Sequence, residues 1–297
     1  MESRIESDIT VCKALWDRFS PKQTLSDVWE YRFPFYEAFG FPLHFVVVSD
    51  EGEDTGLLPL WHQTERKKYC WFGDLDDECD WQEDAQFWGD PKALLTAAPS
   101  PLRLGCLTPE AAASIEGARE MEPKCVLSLA GFASSEDYLM SIPKKLRSNL
   151  RGDRNRMQAQ GMTIIEDRFE DFKTLVALNT AAFEDSPFHE QRLVSVCETI
   201  VAVGRGSAPY RSRMLTAEVG GKIAAVDCMF LFGSTCYDML CGSDTGSFSG
   251  VGNAMQLQDI DDAIRQGMTV VDFAEADYDA PKLKLYPARK QYVYERA

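Results

Sequence analysis

Histidine is scarce, positive charge is in deficit, and there is no long apolar run. The three histidines among 297 residues, His44, His62 and His189, are scattered, and the nine cysteines contain no C-x-x-C pair. Nitrogen and sulfur ligands therefore do not gather at zinc spacing, and no metal is expected. An odd number of unpaired thiols reads as buried free cysteines in a reducing compartment, not as a disulfide framework. No segment approaches the ~20 apolar residues of a membrane span, and the opening MESRIESDIT has no apolar core, so a cytoplasmic location is expected. Lysine and arginine number 31 against 47 aspartates and glutamates, a net charge of −16. That balance disfavours nucleic acid and anionic membrane as partners.

What the chain does have is apolar material: 45% of residues are hydrophobic, enough for a sizeable core. The length suggests two domains or two halves, with the boundary near Lys124, giving 1–124 and 125–297. In the first part, Thr10–Phe19 and Leu25–Gly40 read as short helices rich in aromatics. FPLHFVVVSD, a Glu51-Gly52 turn and GLLPLWHQ read as a hairpin, followed by a strand at KKYCWFGD. Asp74, Asp76, Asp77, Glu78, Asp80, Glu83, Asp84 and Asp90 read as a solvated acidic loop. A short helix from Asp90-Pro91, a strand at PLRLGCL and a helix between Thr108 and Lys124 then lead to a crossing segment, CVLSLAG.

In the second part, Ser134 or Ser135 caps a helix, and Pro143 opens another in which six of the 31 basic residues fall between Lys144 and Arg156. Lys144, Arg147, Arg151 and Arg154 share one face, which suits either a phosphorylated substrate or plain solvation. Gly161 ends that helix, MTIIEDRF is a strand, and Phe169–Phe183 and Phe188–Val203 are amphipathic helices. RSRMLTAEV, KIAAVDCMFLFG and STCYDMLCG then form an antiparallel meander with turns at Gly220-Gly221 and Gly233-Ser234. The meander feeds Gly250-Val251-Gly252, directly before a helix and the strand MTVVDFAEA. Glycine lets a backbone approach an anion closely, and the first free amides of a helix point at it. A doubly wound dinucleotide domain is excluded, because the third glycine is missing (Met255 follows Ala254) and antiparallel strands precede the loop.

Two helices, a meander, a G-x-G loop, a helix and a strand resemble the GNAT acyltransferase fold. The class expected is therefore α/β with a mixed sheet, in two GNAT-like halves. Ser247-Phe248-Ser249-Gly250-Val251-Gly252 keeps both glycines of the Q/R-x-x-G-x-G/A loop that holds the pyrophosphate of coenzyme A, with serine in the leading place. More narrowly, the chain looks like the FemAB-related, CelD-type branch. Phe39-Gly40, Leu58-Pro59-Leu60, the basic helix, Gly252, Gly267, Asp272-Phe273, Ala276-Asp277 and Lys282 match its pattern. Ala276 stands for a usual glycine, and Pro281 for the tyrosine before the lysine. The resemblance implies transfer of an acetyl or longer acyl group from acyl-CoA to an amine on a small molecule or carrier, for example an amino sugar or cell-envelope precursor. It also implies a degenerate first half and a donor site in the second.

If the strands around Met239 and Val271 part, a backbone amide near Met239, Leu240 or Cys241 can stabilise the developing oxyanion, while Ser249, Gly250, Val251, Gly252 and Asn253 cradle the diphosphate. Glu275 and Asp272, on the strand after the loop helix, are candidate bases, with Asp238 across the cleft. Strand alternation puts Asp272 and Glu275 on opposite faces unless a bulge intervenes, so Asp272 reads as structural. Tyr278 and Tyr286 are candidate acids, or ordinary packing and surface tyrosines. Lys282, by resemblance, contacts the acyl group or the acceptor. Cys241, with no histidine nearby in sequence, reads as a buried thiol and not a nucleophile. Two other classes stay open: a non-catalytic GNAT-like binding module, and a Fem-type transferase that takes an aminoacyl group from tRNA.

Overall fold

A computed structural model describes residues 2–75, 81 and 83–297. The chain forms two units, Met1–Pro123 with Lys290–Ala297, and Lys124–Arg289. In chain order the first unit holds β1 (Glu2–Glu6), α1 (Ile9–Phe19), α2 (Trp29–Phe39), β2 (Leu43–Asp50), β3 (Glu53–Gln63), β4 (Lys68–Trp71), α3 (Pro91–Ala97), β5 (Leu102–Leu107) and α4 (Pro109–Ala113). The strand β6 (Arg119–Ser128) runs from one unit into the other. The second unit continues with α5 (Ser135–Ser141), α6 (Lys144–Ala159), β7 (Thr163–Glu166), α7 (Phe172–Ala182), α8 (Gln191–Val203), β8 (Arg211–Val219), β9 (Lys222–Phe232), β10 (Thr235–Ser243), α9 (Val251–Arg265) and β11 (Val270–Glu275). β12 (Ala288–Arg296) closes the chain. Among the described residues, no helix is long and apolar enough to cross a membrane.

The local signals act as their chemistry dictates. Asp8 caps α1 by accepting hydrogen bonds from the Thr10 and Val11 amides at 2.9 and 3.0 Å. Gly40 ends α2 in the left-handed region at φ +63°. The β2–β3 hairpin turns through Glu51 and Gly52, both at positive φ, which matches the twist of the strands they join. In the first unit β1, β2, β3, β4, β5 and β12 lie side by side in that order.

Three expectations need correction. The second half expected over 125–297 ends at Arg289, because Tyr292, Tyr294 and Arg296 pair antiparallel with Leu107, Leu104 and Leu102 of β5. The helix expected from Thr108 to Lys124 stops at Ala113, and after Gly117 at φ +86° the chain is strand. Met121, Pro123, Cys125 and Leu127 are buried at a period of two, which is a strand's pattern. The acidic stretch is not wholly solvated either: Asp74 and Glu83 are buried, while Asp76, Asp77, Glu78 and Asp80 lie outside the described residues. Asp74 accepts from the Leu75 and Trp81 amides at 3.0 and 3.1 Å. Its charge faces the fully buried Arg32, whose guanidinium donates to the carbonyls of Phe72 and Trp81.

In the second unit the strand order is β6, β11, β10, β9, β8, β7. β8 to β10 form the expected meander, with Gly220-Gly221 and Gly233 at positive φ in its turns, and β7 adds antiparallel to β8. β11 lies parallel to β10, the crossover being made by α9. A core of Met229, Leu231, Cys236, Met255, Ile260, Val271 and Phe273 fills one side of the sheet beneath α5, α6 and α9. α7 packs against β9 and β10. It comes so close at Gly242 that an added Cβ would strike the Leu175 carbonyl. Of the eight described cysteines all are buried but Cys241, which is exposed against the expectation of a buried thiol.

Candidate functional site

β10 and β11 begin as a regular parallel pair and then part. Thr235, Cys236 and Tyr237 oppose Val270, Val271 and Asp272, where the pairing ends. β10 runs on to Ser243 against β9, with Met239 as an extra residue between the pairs Asp238–Met229 and Leu240–Cys228. A bulge of this kind re-aims the side chains that follow it. On the other strand, Ala274 takes a left-handed φ of +58°, and the β11–β6 register shifts between Asp272 and Glu275. That bulge removes the alternation that separates Asp272 from Glu275 on a regular strand.

The β11 bulge is pinned from several sides. Asp272 accepts from the Ala274 amide at 3.0 Å and forms an ion pair with Lys124, both side chains being buried. The Lys282 ammonium donates to the Phe273 carbonyl at 2.9 Å and to the Glu275 carbonyl. In this structure Lys282 thus holds the end of β11. Tyr286 stacks on Phe273 with ring centroids 4.0 Å apart, and its hydroxyl meets Gln256 Oε1 at 3.1 Å. Burial raises the Tyr286 phenol well above its ordinary range. Tyr278 stands 60% exposed.

Three carboxyls gather beside β10. Asp238 is partly accessible, yet protein crowds its carboxyl, and that burial pushes it up to about 7 against a smaller opposing pull from Lys282. Asp227 on β9 and Asp259 on α9 are 4% and 0% exposed, and burial raises both well above the carboxylate range. Cys241, opposite Asp227 in the ladder, is exposed although protein surrounds it, as a residue lining a cleft would be. Its carbonyl accepts from Asn179 Nδ2 of α7 at 2.7 Å. Leu240 faces the interior.

The glycine loop begins where β10 ends. Asp244 organises it, accepting from the Ser247 amide through its side chain and from the Phe248 amide through its carbonyl, both at 2.9 Å. Val251 donates to the Phe248 carbonyl, and Gly250 sits at φ +90° before the first turn of α9. Among the described residues, the amides of Gly252 and Asn253 meet no acceptor. The nearest atom to a Cβ added at Gly252 is Ser243 Oγ at 3.8 Å, so the space before it is open. Gly250 differs: a Cβ there would lie 2.5 Å from Arg156 Nη2 and 2.7 Å from Asp153 Oδ1.

α6 therefore presses on the loop. Arg156 pairs with Asp153 and donates to the Ser249 carbonyl at 2.8 and 3.1 Å, while Asn253 Nδ2 donates to Asp153 at 2.6 Å. Of the other basic residues on that helix, Arg151 and Arg154 pair with Glu136 of α5. The sequence reading found the loop and Asp238 but missed Asp227, Asp259 and the Asp153–Arg156 brace. The first two carry a signal: each is an aspartate set among apolar neighbours, in KIAAVDCMF and QLQDIDDAI. The brace carries none, because it joins residues about a hundred positions apart.

Residues 144–280 match the family described as an acetyltransferase (GNAT) domain. No curated protein sequence matches the chain. Among solved structures, FemX is similar with a TM-score of 0.61 at 11% identity, over 100% of this chain and 98% of that one. L-PGS from Bacillus licheniformis gives 0.60 at 15% identity, over 98% and 92%. A tandem GNAT protein from the clavulanic acid biosynthesis pathway gives 0.55 at 12% identity, over 99% and 98%. At such identities the likeness is one of fold. Residues 144–280 thus match a GNAT domain, and the fold of the whole chain is that of FemX and of a tandem GNAT protein.

Proposed function

We propose that the second unit is a cytoplasmic acyltransferase that moves an acetyl or longer acyl group from acyl-CoA to an amine on a small molecule or carrier, such as an amino sugar or cell-envelope precursor. The observation that carries this reading is the parting of β10 and β11 beyond Tyr237 and Asp272, next to a helix N-terminus whose Gly252 and Asn253 amides are without acceptors. When bound, acyl-CoA supplies an activated thioester. Ser249, Gly250, Val251, Gly252 and Asn253 hold its diphosphate through the main chain, and the open space before Gly252 fits that task. The backbone of Met239, Leu240 and Cys241 lies along the acyl arm and steadies the thioester oxygen.

An amine attacks only after losing a proton, and a group whose proton affinity lies near the working pH accepts it best. Asp238, pushed up to about 7, suits that role. Glu275, at the end of β11, is the second candidate. Lys282 fixes the end of β11 through its two carbonyl contacts and keeps the cleft's edge in place. Tyr278, exposed at the surface, remains the candidate acid for the leaving thiol. Native mass spectrometry of the freshly purified protein tests the donor directly, because co-purified CoA or acyl-CoA is expected. No binding of acetyl-CoA at millimolar concentration in calorimetry ends the reading.

One observation favours a second reading, a non-catalytic binding module: the Asp153 carboxylate already stands beside Gly250, where it repels an anion. Absence of CoA binding in both the natural protein and Asp153→Asn would favour that module.

A further inference from the structure

A diphosphate is a dianion, and the amides of a helix N-terminus meet it with partial charges only. In a chain of net charge −16, a full positive charge at the glycine loop therefore matters to any anion held there. α6 is the basic helix, yet most of its cations are placed elsewhere. Arg151 and Arg154 pair with Glu136 of α5, and Arg147 donates to the Met140 carbonyl at 3.3 Å. Lys144 and Lys145 lie in its first turn, about 16–18 Å from Arg156 along the axis. Among the described residues, Arg156 is the one cation hydrogen-bonded to the stretch from Ser247 to Asn253, through Nε and Nη2 to the Ser249 carbonyl at 3.1 and 2.8 Å. It occupies the space that Gly250 leaves, since a Cβ there would lie 2.5 Å from Nη2. Its side chain is 46% exposed, so a ligand at the loop can reach it. Nε and Nη2 are engaged on Ser249 and Asp153, whereas Nη1 meets no acceptor among the described residues and keeps two N–H groups.

We infer that Arg156 is a donor-binding residue: its guanidinium supplies the charge that the loop amides lack, and it makes the site favour acyl donors that carry a diphosphate over those that do not. The inference rests on the reading of the second unit as an acyl-CoA-dependent transferase. A guanidinium suits the task, because its planar set of donors matches phosphate oxygens and stays charged at any working pH. Asp153 has the opposite effect on an anion. It holds both Arg156 Nη2 and Asn253 Nδ2, and so fixes the guanidinium at the loop, but its own charge offsets that of Arg156. These two side chains separate a ligand from a brace. If Arg156 only braced the loop, breaking the pair from either side would loosen the loop and weaken binding. If its charge meets the diphosphate, removing Arg156 weakens binding and removing the Asp153 charge strengthens it.

Calorimetry on the full-length protein with two probes tests this: acetyl-CoA, and S-acetylpantetheine, which has the thioester arm without any phosphate. Arg156→Gln should weaken acetyl-CoA binding about ten- to a hundredfold, the loss of one hydrogen bond between charged groups, and leave S-acetylpantetheine binding unchanged. Arg156→Lys keeps the charge without the planar fork and should fall between Arg156→Gln and the natural protein. Asp153→Asn should move acetyl-CoA binding the other way. An Arg156→Gln protein that binds acetyl-CoA as tightly as the natural protein overturns the inference and leaves the acyl-CoA reading standing. So does equal weakening of both probes, or an Asp153→Asn protein weakened along with Arg156→Gln. No binding of acetyl-CoA by the natural protein overturns the acyl-CoA reading and this inference together. If Arg156→Gln fails to fold, Arg156→Lys and Asp153→Asn decide the matter, with opposite shifts expected and a common weakening fatal to the inference.

Discussion

Asp153 Oδ2 accepts a 2.6 Å hydrogen bond from Asn253 Nδ2, so α6 sets a carboxylate against the first turn of α9. A carboxylate there favours the helix dipole but competes with any anion that would use the same amides. If a diphosphate binds at this loop, Asp153→Asn should tighten acetyl-CoA binding about tenfold, or ~1.4 kcal/mol, by removing one repulsive charge while keeping an acceptor for Asn253. Calorimetric titration of the two proteins gives the ratio. Equal affinities would mean that the diphosphate does not sit beside Asp153.

The two loop glycines should fail in different ways. Gly252 faces open space, so Gly252→Val should abolish CoA affinity while leaving stability nearly unchanged, because valine is no worse a helix former than glycine. Gly250 is at φ +90° with Asp153 and Arg156 against its missing side chain. Gly250→Ala should therefore cost stability itself, about 2 kcal/mol or more, from backbone strain plus displacement of the brace. Urea unfolding separates the two variants: only the second should shift its midpoint strongly.

These contrasts explain what could be read from residues alone. The meander was legible because its turns are glycines and its strands alternate, and these are local signals. The loop was legible for the same reason. β1 was not, because ESRIE is polar and becomes a strand only by pairing with β2. β12 owes its place to β5, nearly two hundred residues away in sequence. At the site, Asp238 stood out as a carboxylate in a strand, but its behaviour depends on burial and on Lys282, which only tertiary packing brings about. Lys282 followed the family pattern, whereas its two backbone acceptors follow from the bulge at Ala274.

That bulge leads to a stability prediction. Asp272 is tied to Lys124 in a buried pair and accepts from the Ala274 amide. Lys124→Met leaves a buried carboxylate without its cation and should cost about 3–5 kcal/mol. Adding Asp272→Asn removes the stranded charge and keeps an acceptor for Ala274, so the double variant should recover much of that loss. Urea midpoints for the three proteins check the order. A double variant worse than Lys124→Met alone would mean that the pair is not the main reason Asp272 matters.

Asp238 gives a pH dependence with a defined sign. Its native carboxyl is pushed up to about 7, whereas an aspartate in an unfolded chain titrates near ~3.9. Between those values the native state binds more protons than the unfolded state, so this group's stabilising contribution is complete in acid and is lost as pH rises toward about 7. Carboxylates lowered by their arginine partners, such as Glu136 and Glu166, act in the opposite direction. They are common to any variant at position 238 and cancel in a difference. The urea midpoint of Asp238→Asn minus that of the natural protein should therefore climb with pH from about 4 to about 7 and level off above it. A difference that stays flat across that interval would mean that Asp238 ionises as an ordinary surface aspartate, and the role of base would pass to Glu275.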